Sequence, residues 1–124
     1  EPLPTAQAWS LTYLSPVSAG MLATALELVE LAGVGAIAAR IEERLREFDS
    51  VLEGAGARIV SERERRAGIL VFEVPGRPAP KVADALAAEG ITVSVRGPHV
   101  RLSAHASTSP EAVKMVEAAL SRAR

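Results

Sequence analysis

Cysteine is absent from the sequence, and aromatic residues make up only 3% of it. Without cysteine the chain has no disulfide, no thiolate metal site and no thiol nucleophile. No apolar run approaches the roughly 20 residues that a membrane-spanning helix needs, and no signal peptide is evident at the N-terminus. No glycine-rich phosphate-binding motif of the dinucleotide or Walker type occurs either. These absences favour a cytoplasmic protein with no metal or cofactor site of its own.

The charges are nearly balanced, since 14 basic and 15 acidic residues give a net charge of −1. A nucleic-acid-binding module normally shows a basic surplus, so that function has little support. With 124 residues, of which 48% are apolar, the chain is long enough for one hydrophobic core but not for two. Composition therefore predicts a single domain.

The first 14 residues, with Pro2, Pro4 and no clear periodicity, predict a connector or a truncated edge. The chain also begins without methionine, which indicates a piece of a longer protein. Trp9 and Tyr13 are expected to anchor the domain against a neighbouring part of that protein. Residues 15–124 are expected to form the domain itself.

Hydrophobic periodicity predicts helices and strands in the order helix, helix, strand, strand, helix, strand, strand, helix. Strands joined by short loops are expected to pair antiparallel. The pattern therefore predicts an α+β domain of two layers, in which helices cover one face of a short, mainly antiparallel sheet. The strand at 68–74 is expected to be the most buried. The helices are expected at 16–32, 35–54, about 80–89 and from 108–111 onward, and the strands at 57–60, 68–74, 91–96 and 99–104.

The first helix is long and apolar. It is expected to begin with Ser15 as its N-cap and Pro16 in its first turn, and to end before Gly33. Only a narrow polar stripe interrupts its apolar surface, and such a helix is usually buried on more than one side. We therefore expect a partner, or a part of the protein absent from this chain, to cover it.

Charged residues of the second helix and of the loop at 61–66 are expected to lie in solvent. The second helix has one apolar stripe that includes Ile41, Leu45 and Phe48. Its opposite face, which is predicted to include Arg44, should be solvated. The charged loop at 61–66, Ser-Glu-Arg-Glu-Arg-Arg, is likewise expected to be solvated.

The segment at 91–104 has the most informative pattern, because apolar and polar residues alternate on both sides of Gly97 and Pro98. A two-residue loop there pairs Val95 with Val100 and places every apolar residue on one face. The opposite face then presents two arginines and a histidine, which can hold an anion. The residues of that polar face are Ser94, Arg96, His99, Arg101 and Ser103.

Polar residues on an exposed sheet face are also routine, so Arg96 and Arg101 have an alternative interpretation as solvated surface charges. His99 and His105 are expected to be surface or interface residues, because two histidines without carboxylate partners make a poor metal site. Pattern alone leaves open whether this face binds a ligand.

Four segments of the chain occur together in a known arrangement. A strand at 68–74 precedes a helix, and Ala-Glu-Gly-Ile-Thr-Val-Ser-Val-Arg follows at 88–96. Val-Arg-Leu-Ser-Ala-His at 100–105 and the helix start Thr-Ser-Pro-Glu at 108–111 complete it. This arrangement resembles the C-terminal small domain of class V aminotransferases, pyridoxal-phosphate enzymes that include cysteine desulfurases, kynureninases and isopenicillin-epimerase-like enzymes. The resemblance extends over roughly residues 14–120, and its most specific part is the hairpin and the last helix.

The resemblance implies a substrate site. In the family, the arginine at the position of Arg101 binds the α-carboxylate of an amino-acid substrate. A planar guanidinium on a rigid strand suits bidentate carboxylate recognition. Ser103 and His105, two and four residues further on, and Arg96 on the neighbouring strand are the other expected substrate contacts.

The resemblance also implies that pyridoxal 5'-phosphate is bound by a large domain absent from this chain. Lys81 and Lys114 do not stand in the family's setting for the Schiff-base lysine. We therefore expect no catalytic or cofactor-binding residue here and no catalysis by this chain alone. The expected partners are the large domain, an amino-acid substrate and a second copy in a homodimer, but neither nucleic acid nor membrane. Transamination, elimination, epimerisation and hydrolysis remain open, although the lack of cysteine disfavours a desulfurase with a cysteine nucleophile.

A freestanding α+β module is the alternative interpretation. It would serve as a regulatory or small-ligand-binding module, would bind a small anion or carboxylate on the same polar face, and would dimerise through the apolar helix at 16–32. The segment at 1–14 distinguishes the two, because a truncated edge exposes apolar surface and promotes aggregation.

Overall fold

The structure is a computed structural model that describes residues 15–122. The chain divides into two compact units, Glu1–Val34 and Gly35–Arg124. The predicted connector at 1–14, with Trp9 and Tyr13, lies outside the described residues. Within them, no single helix is long and apolar enough to cross a membrane, and only the first two helices taken together pass such a test by length and composition.

The described part of the first unit is helix α1, Pro16–Ala32. Its ends are as predicted. The Ser15 hydroxyl accepts a hydrogen bond from the Ser18 N–H, and the N–H of Gly33 donates to the Val29 carbonyl with Gly33 at φ 81°. None of its residues is buried in this chain, although its large side chains are apolar.

The second unit combines three helices with a four-stranded sheet, which confirms the α+β class. Antiparallel pairing joins every pair of neighbouring strands, in the order β1-β2-β4-β3. The helices are α2 (Val34–Gly54), α3 (Ala79–Ala88) and α4 (Pro110–Arg122), and the strands are β1 (Arg58–Ile59), β2 (Ile69–Glu73), β3 (Ser94–Arg96) and β4 (His99–Ser103).

The hydrophobic core takes alternate residues from the two central strands and one stripe from each of the three helices. Along β2 and β4 the buried positions are every second residue, because successive strand side chains point to opposite faces. The predicted helix stripes supply the rest. The buried core residues are Leu45, Phe48, Leu52, Leu70, Phe72, Val74, Ala79, Val82, Leu86, Val100, Leu102, Ala104, Val116, Ala119 and Leu120.

Strand β2 shows this alternation in full and is buried to the same extent as β4, so the prediction that it is the most buried strand is wrong. Leu70 and Phe72 are completely buried, whereas Ile69 is exposed. Its entry is fixed by Gly68, at φ 76°, whose carbonyl accepts a hydrogen bond from the Ala104 N–H at 2.8 Å. A Cβ at Gly68 would lie 3.2 Å from the Ala104 carbonyl oxygen, so this close approach of the two strand ends requires glycine.

Two charged residues that were expected in solvent are buried. Arg44 is 2% exposed, because it lies three residues after Ile41 and four before Phe48 and so shares their face of α2. Arg66, at the end of the loop predicted to be solvated, forms a bidentate ion pair with Asp49 of α2, and both side chains are buried. The prediction of a solvated surface is wrong at these two positions.

The last helix begins one residue later than a capping box on Thr108 requires. Its first residue is Pro110, and the Thr108 hydroxyl instead accepts a hydrogen bond from the His105 N–H at 2.9 Å. The carboxylate of Glu111 is held by its own backbone N–H and by the Ser109 side chain, and these two hydrogen bonds lower the pKa of Glu111 below its ordinary value of 4.5. Lys114 and Arg44 add to this lowering through their charges.

A candidate anion-binding face of the sheet

The open face is the set of sheet side chains that alternate with the buried ones. The turn at Gly97 and Pro98 places Val95 opposite Val100, as predicted, with Gly97 at φ 56°. Because Val100 and Leu102 are buried, the residues between and beside them point the other way. The open face is formed by Arg58, Ile69, Val71, Glu73, Ser94, Arg96, His99, Arg101 and Ser103.

Arg101 lies near the centre of the open face. It faces Val71 of β2 on one side and Ser94 of β3 on the other. The side chain is half-buried, and its Nε atom is buried without a hydrogen-bond partner among the described residues. The guanidinium carries further N–H donors, which can donate hydrogen bonds to the oxygens of a bound ligand.

Glu73 is the one carboxylate among the open-face residues, and it is flanked by two basic side chains. The guanidinium of Arg58 lies 2.9 Å from Glu73 Oε1, through both Nε and Nη2. The ring atom Nε2 of His99 lies 3.4 Å from Glu73 Oε2. The carboxylate is therefore satisfied by its neighbours, and Glu73 forms no ion pair with Arg101 within residues 15–122.

Glu73 and Arg58 are site residues that the sequence analysis missed. The strand at 68–74 was expected to be the most buried one, so Glu73 was not assigned to a polar face. The signal was present, because Glu73 lies two and four residues after Val71 and Ile69, and alternate strand residues share a face.

Three of the four predicted site residues are together on the open face. Arg96 pairs with His99 across the hairpin, and Ser103 lies two residues after Arg101 on β4 at the edge of the face, opposite Ile69. His105 lies beyond the end of β4, exposed, in the segment that leads to α4. The sheet register therefore brings Arg96, Arg101 and Ser103 together and does not place His105 with them.

Two of the three arginines of the open face, Arg96 and Arg101, differ from most others in the described part of the chain. Elsewhere the guanidinium groups pair with carboxylates: Arg40 with Glu43, Arg44 with Glu47, Arg63 with Glu53, Arg65 with Glu62, Arg66 with Asp49, and Arg122 with Glu89. Within residues 15–122 the arginines without a carboxylate partner are Arg46, Arg77, Arg96 and Arg101. Two of these four are neighbours on the open face.

Grooves in the structure lie away from the open face. One of about 630 Å³ runs along α2, where Asp49, Glu53, Arg63 and Arg66 pair with one another and Glu42, Arg46 and Glu64 add further charges. Among residues 15–122, no group of three or more histidine, aspartate or glutamate side chains could hold a metal ion. The open face is therefore a flat surface that offers guanidinium donors rather than an enclosed pocket.

Comparisons with known proteins find this fold in larger enzymes. The chain superposes on a cysteine desulfurase from Thermococcus onnurineus NA1 with a TM-score of 0.75 and 21% identity, over 82% of this chain and 29% of that one. A NifS-like protein gives a TM-score of 0.69 with 20% identity, over 86% of this chain and 32% of that one. For 8-amino-7-oxononanoate synthase from Francisella tularensis the TM-score is 0.67 with 21% identity, over 90% and 34% of the two chains.

The chain thus spans about a third of the length of the solved proteins that it matches. No protein-family model and no curated protein sequence matches it. At this level of identity the superpositions show a shared fold, and the chain is similar to one part of each of these proteins.

Proposed function

We propose that this chain is the small domain of a pyridoxal-phosphate-dependent enzyme that acts on an amino acid, and that Arg101 binds the substrate α-carboxylate. The observation that supports it most directly is the position of Arg101 near the centre of the open face, half-buried and without a carboxylate partner in residues 15–122. The three superposed proteins support the same assignment, because each contains this fold as about a third of a longer chain. One of them is a cysteine desulfurase, a class within the family that the sequence resembles.

In this proposal the chain's own residues bind and orient the substrate. Arg101 presents its planar guanidinium from a central strand, so a carboxylate can be held by two parallel hydrogen bonds in one orientation. Ser94 and Ser103, beside Arg101 on the open face, can add hydroxyl donors. A carboxylate fixed in this way fixes the rest of the amino acid, and such positioning can contribute several kcal/mol to catalysis.

Pyridoxal phosphate, when bound in the intact enzyme, would act as the electron sink for the reaction. The residues of this chain fit the role of a neighbour to the cofactor and not that of its holder. Lys81 on α3 and Lys114 on α4 are exposed and belong to helices, outside the open face. The large domain would therefore supply the Schiff-base lysine and the phosphate-binding groups.

The proposal also covers the family, the layer arrangement, the oligomeric state and the location of the intact enzyme. The chain would be the C-terminal small domain of a class V aminotransferase, with its helices and sheet in two layers and the long apolar helix α1 leading into it. The intact enzyme would be a cytoplasmic homodimer whose reaction is of the transferase or lyase type. The exposed apolar side chains of α1, among them Met21, Leu22 and Leu26, support a covering domain.

The freestanding carboxylate-binding module remains the second candidate, because the open face alone would serve it equally. In that case two copies of α1 would cover each other. Hydrodynamic size separates the two functions, since a module that dimerises through α1 is a stable dimer, whereas a domain without its large partner exposes α1 and self-associates without a defined stoichiometry.

The test of the carboxylate site is a titration of the ¹⁵N-labelled chain with L-alanine, followed by NMR. We expect shifts in the backbone signals of 94–103 and in the Arg101 side-chain Nε–H signal. Arg101→Gln should abolish them, and Arg46→Gln, which removes the same charge from the exposed surface of α2, should leave them intact. L-Alanine shifts that do not depend on Arg101 would contradict the proposal.

The test of the small-domain role adds a large-domain fragment of a class V enzyme together with pyridoxal phosphate. An amino-acid-dependent change in the absorbance of the mixture, lost with Arg101→Gln, would support the role. A chain that forms a stable dimer, binds L-alanine and ignores the large domain would favour the freestanding module.

A further inference from the structure

We infer that the ligand of the open face carries a second anionic group, which Arg96 contacts while Arg101 holds the α-carboxylate. The substrate class would then be an amino acid with an acidic side chain. This inference rests on the proposed function, because it takes the carboxylate site at Arg101 as given.

The first step is the placement of the two arginines. Arg101 pairs with Ser94 and Arg96 pairs with His99, so Arg96 and Arg101 are diagonal neighbours across β3 and β4. Such neighbours on one face have Cβ atoms roughly 7–8 Å apart, within the reach of two long side chains. The guanidinium groups can therefore contact two anionic groups of one small molecule.

The guanidinium groups of Arg96 and Arg101 are both available to a ligand. The one described hydrogen bond of the Arg96 side chain goes from Nη1 to the carbonyl of the preceding residue, Val95, at 3.3 Å, which leaves most of its donors free. Arg101 has no ion pair in the described part of the chain, and its Nε is unpartnered. Two like charges held side by side without a counter-ion repel each other, and a ligand with two negative groups removes that repulsion.

The other residues of the open face leave both arginines without a carboxylate partner. The nearby carboxylate, Glu73, is already flanked by Arg58 and His99. It therefore does not compete with the ligand for Arg96 or Arg101. The neighbours of Arg101 in register are Val71 and Ser94, which carry no charge, so neither of them offers Arg101 a carboxylate partner.

The experiment compares L-glutamate with L-glutamine, which has the same shape without the side-chain charge, by NMR titration of the ¹⁵N-labelled 124-residue chain. We expect L-glutamate to bind about two- to fivefold more tightly than L-glutamine, the range of an exposed ion pair. Arg96→Gln should remove this preference, so that L-glutamate and L-glutamine bind with equal affinity. Arg96→Lys should restore part of it, and Arg46→Gln should keep it.

The outcomes distinguish a failure of the second anionic contact at Arg96 from a failure of the carboxylate site at Arg101. Equal binding of L-glutamate and L-glutamine, both dependent on Arg101, would overturn the second anionic contact and leave the carboxylate site standing. A preference for L-glutamate that survives Arg96→Gln would also overturn it, because the charge would then be recognised elsewhere. If neither L-alanine nor L-glutamate shifts the signals of Arg101, both the inference and the proposed function fail.

Discussion

Replacement of Arg101 by methionine tests whether this arginine binds a ligand or stabilises the fold, and the test does not require the ligand to be known. Methionine keeps most of the apolar stem beside Val71 and removes the guanidinium. If the guanidinium serves a ligand, the folded chain gains nothing from it. The buried and unpartnered Nε instead represents a desolvation cost, which mutational data put at about 1–3 kcal/mol for such a group.

The expected magnitude follows from that cost and from what the side chain still packs against. Because the rest of the guanidinium is only half-buried, we expect the free energy of unfolding of Arg101→Met to stay within about 0.5 kcal/mol of the parent or to rise by up to about 1 kcal/mol. Binding of L-alanine should be lost in the same protein. A residue whose removal costs function but not stability is one that the fold does not need.

Arg77 offers the matched control, since it is also half-buried and also lacks a carboxylate partner within residues 15–122. Its Nη1 donates to the Leu120 carbonyl at 3.3 Å, near the end of α4. Arg77→Met should therefore lower the free energy of unfolding by about 0.5–1.5 kcal/mol, the net contribution of one such hydrogen bond. Urea denaturation followed by circular dichroism measures both variants. A loss in Arg101→Met as large as that in Arg77→Met would refute the reasoning, because the guanidinium would then stabilise the folded chain.

Two further predictions concern the carboxylates that hold the second unit together. Asp49→Asn leaves the Arg66 guanidinium buried without its counter-ion and should lower the free energy of unfolding by about 3–5 kcal/mol, whereas Glu53→Gln, which breaks a pair exposed on both sides, should cost less than about 1 kcal/mol. Equal effects of the two in urea denaturation would contradict this assignment. The hydrogen bonds from the Glu111 backbone N–H and from Ser109 lower the pKa of Glu111 in the folded chain, so this group stabilises the fold above its unfolded pKa, and that contribution is lost as the pH falls through the folded value. The stability difference between the parent and Glu111→Gln should therefore be present at pH 7 and vanish in acid; a difference that persists at pH 2 would contradict it.

The sequence predicts the turn of the hairpin and the pairing beside it because pattern and turn agree, although β3 begins at Ser94 and not at residue 91. Gly97 and Pro98 fix a two-residue loop, and the alternation on either side then fixes which residues share a face. The pairing of Val95 with Val100 is confirmed, together with the burial of Leu102. Local rules suffice here, because the paired residues are only a few positions apart.

The buried charges could not be predicted in the same way. Asp49 and Arg66 are 17 residues apart, and each stands in a segment whose composition is typical of a solvated surface. Their pairing depends on where the loop after β1 meets α2, which no local pattern specifies. Arg44 was misassigned for a different reason. Its position on α2 faces the core, but its charge favours the prediction of an exposed side chain.

The arrangement of charges on the open face, more than any single arginine, is the reason for proposing a site there. Glu73 could neutralise an arginine of β4, but Arg58 from β1 and His99 from the hairpin lie against it instead. The short strand β1 therefore contributes to the charge arrangement as well as to the sheet, because its Arg58 forms the ion pair with Glu73. Arg101 and its neighbour on β3, Arg96, are left without a carboxylate partner among the described residues. A sheet that pairs its own carboxylate and leaves two guanidiniums without one would suit an anion from outside, which is the basis of the proposal.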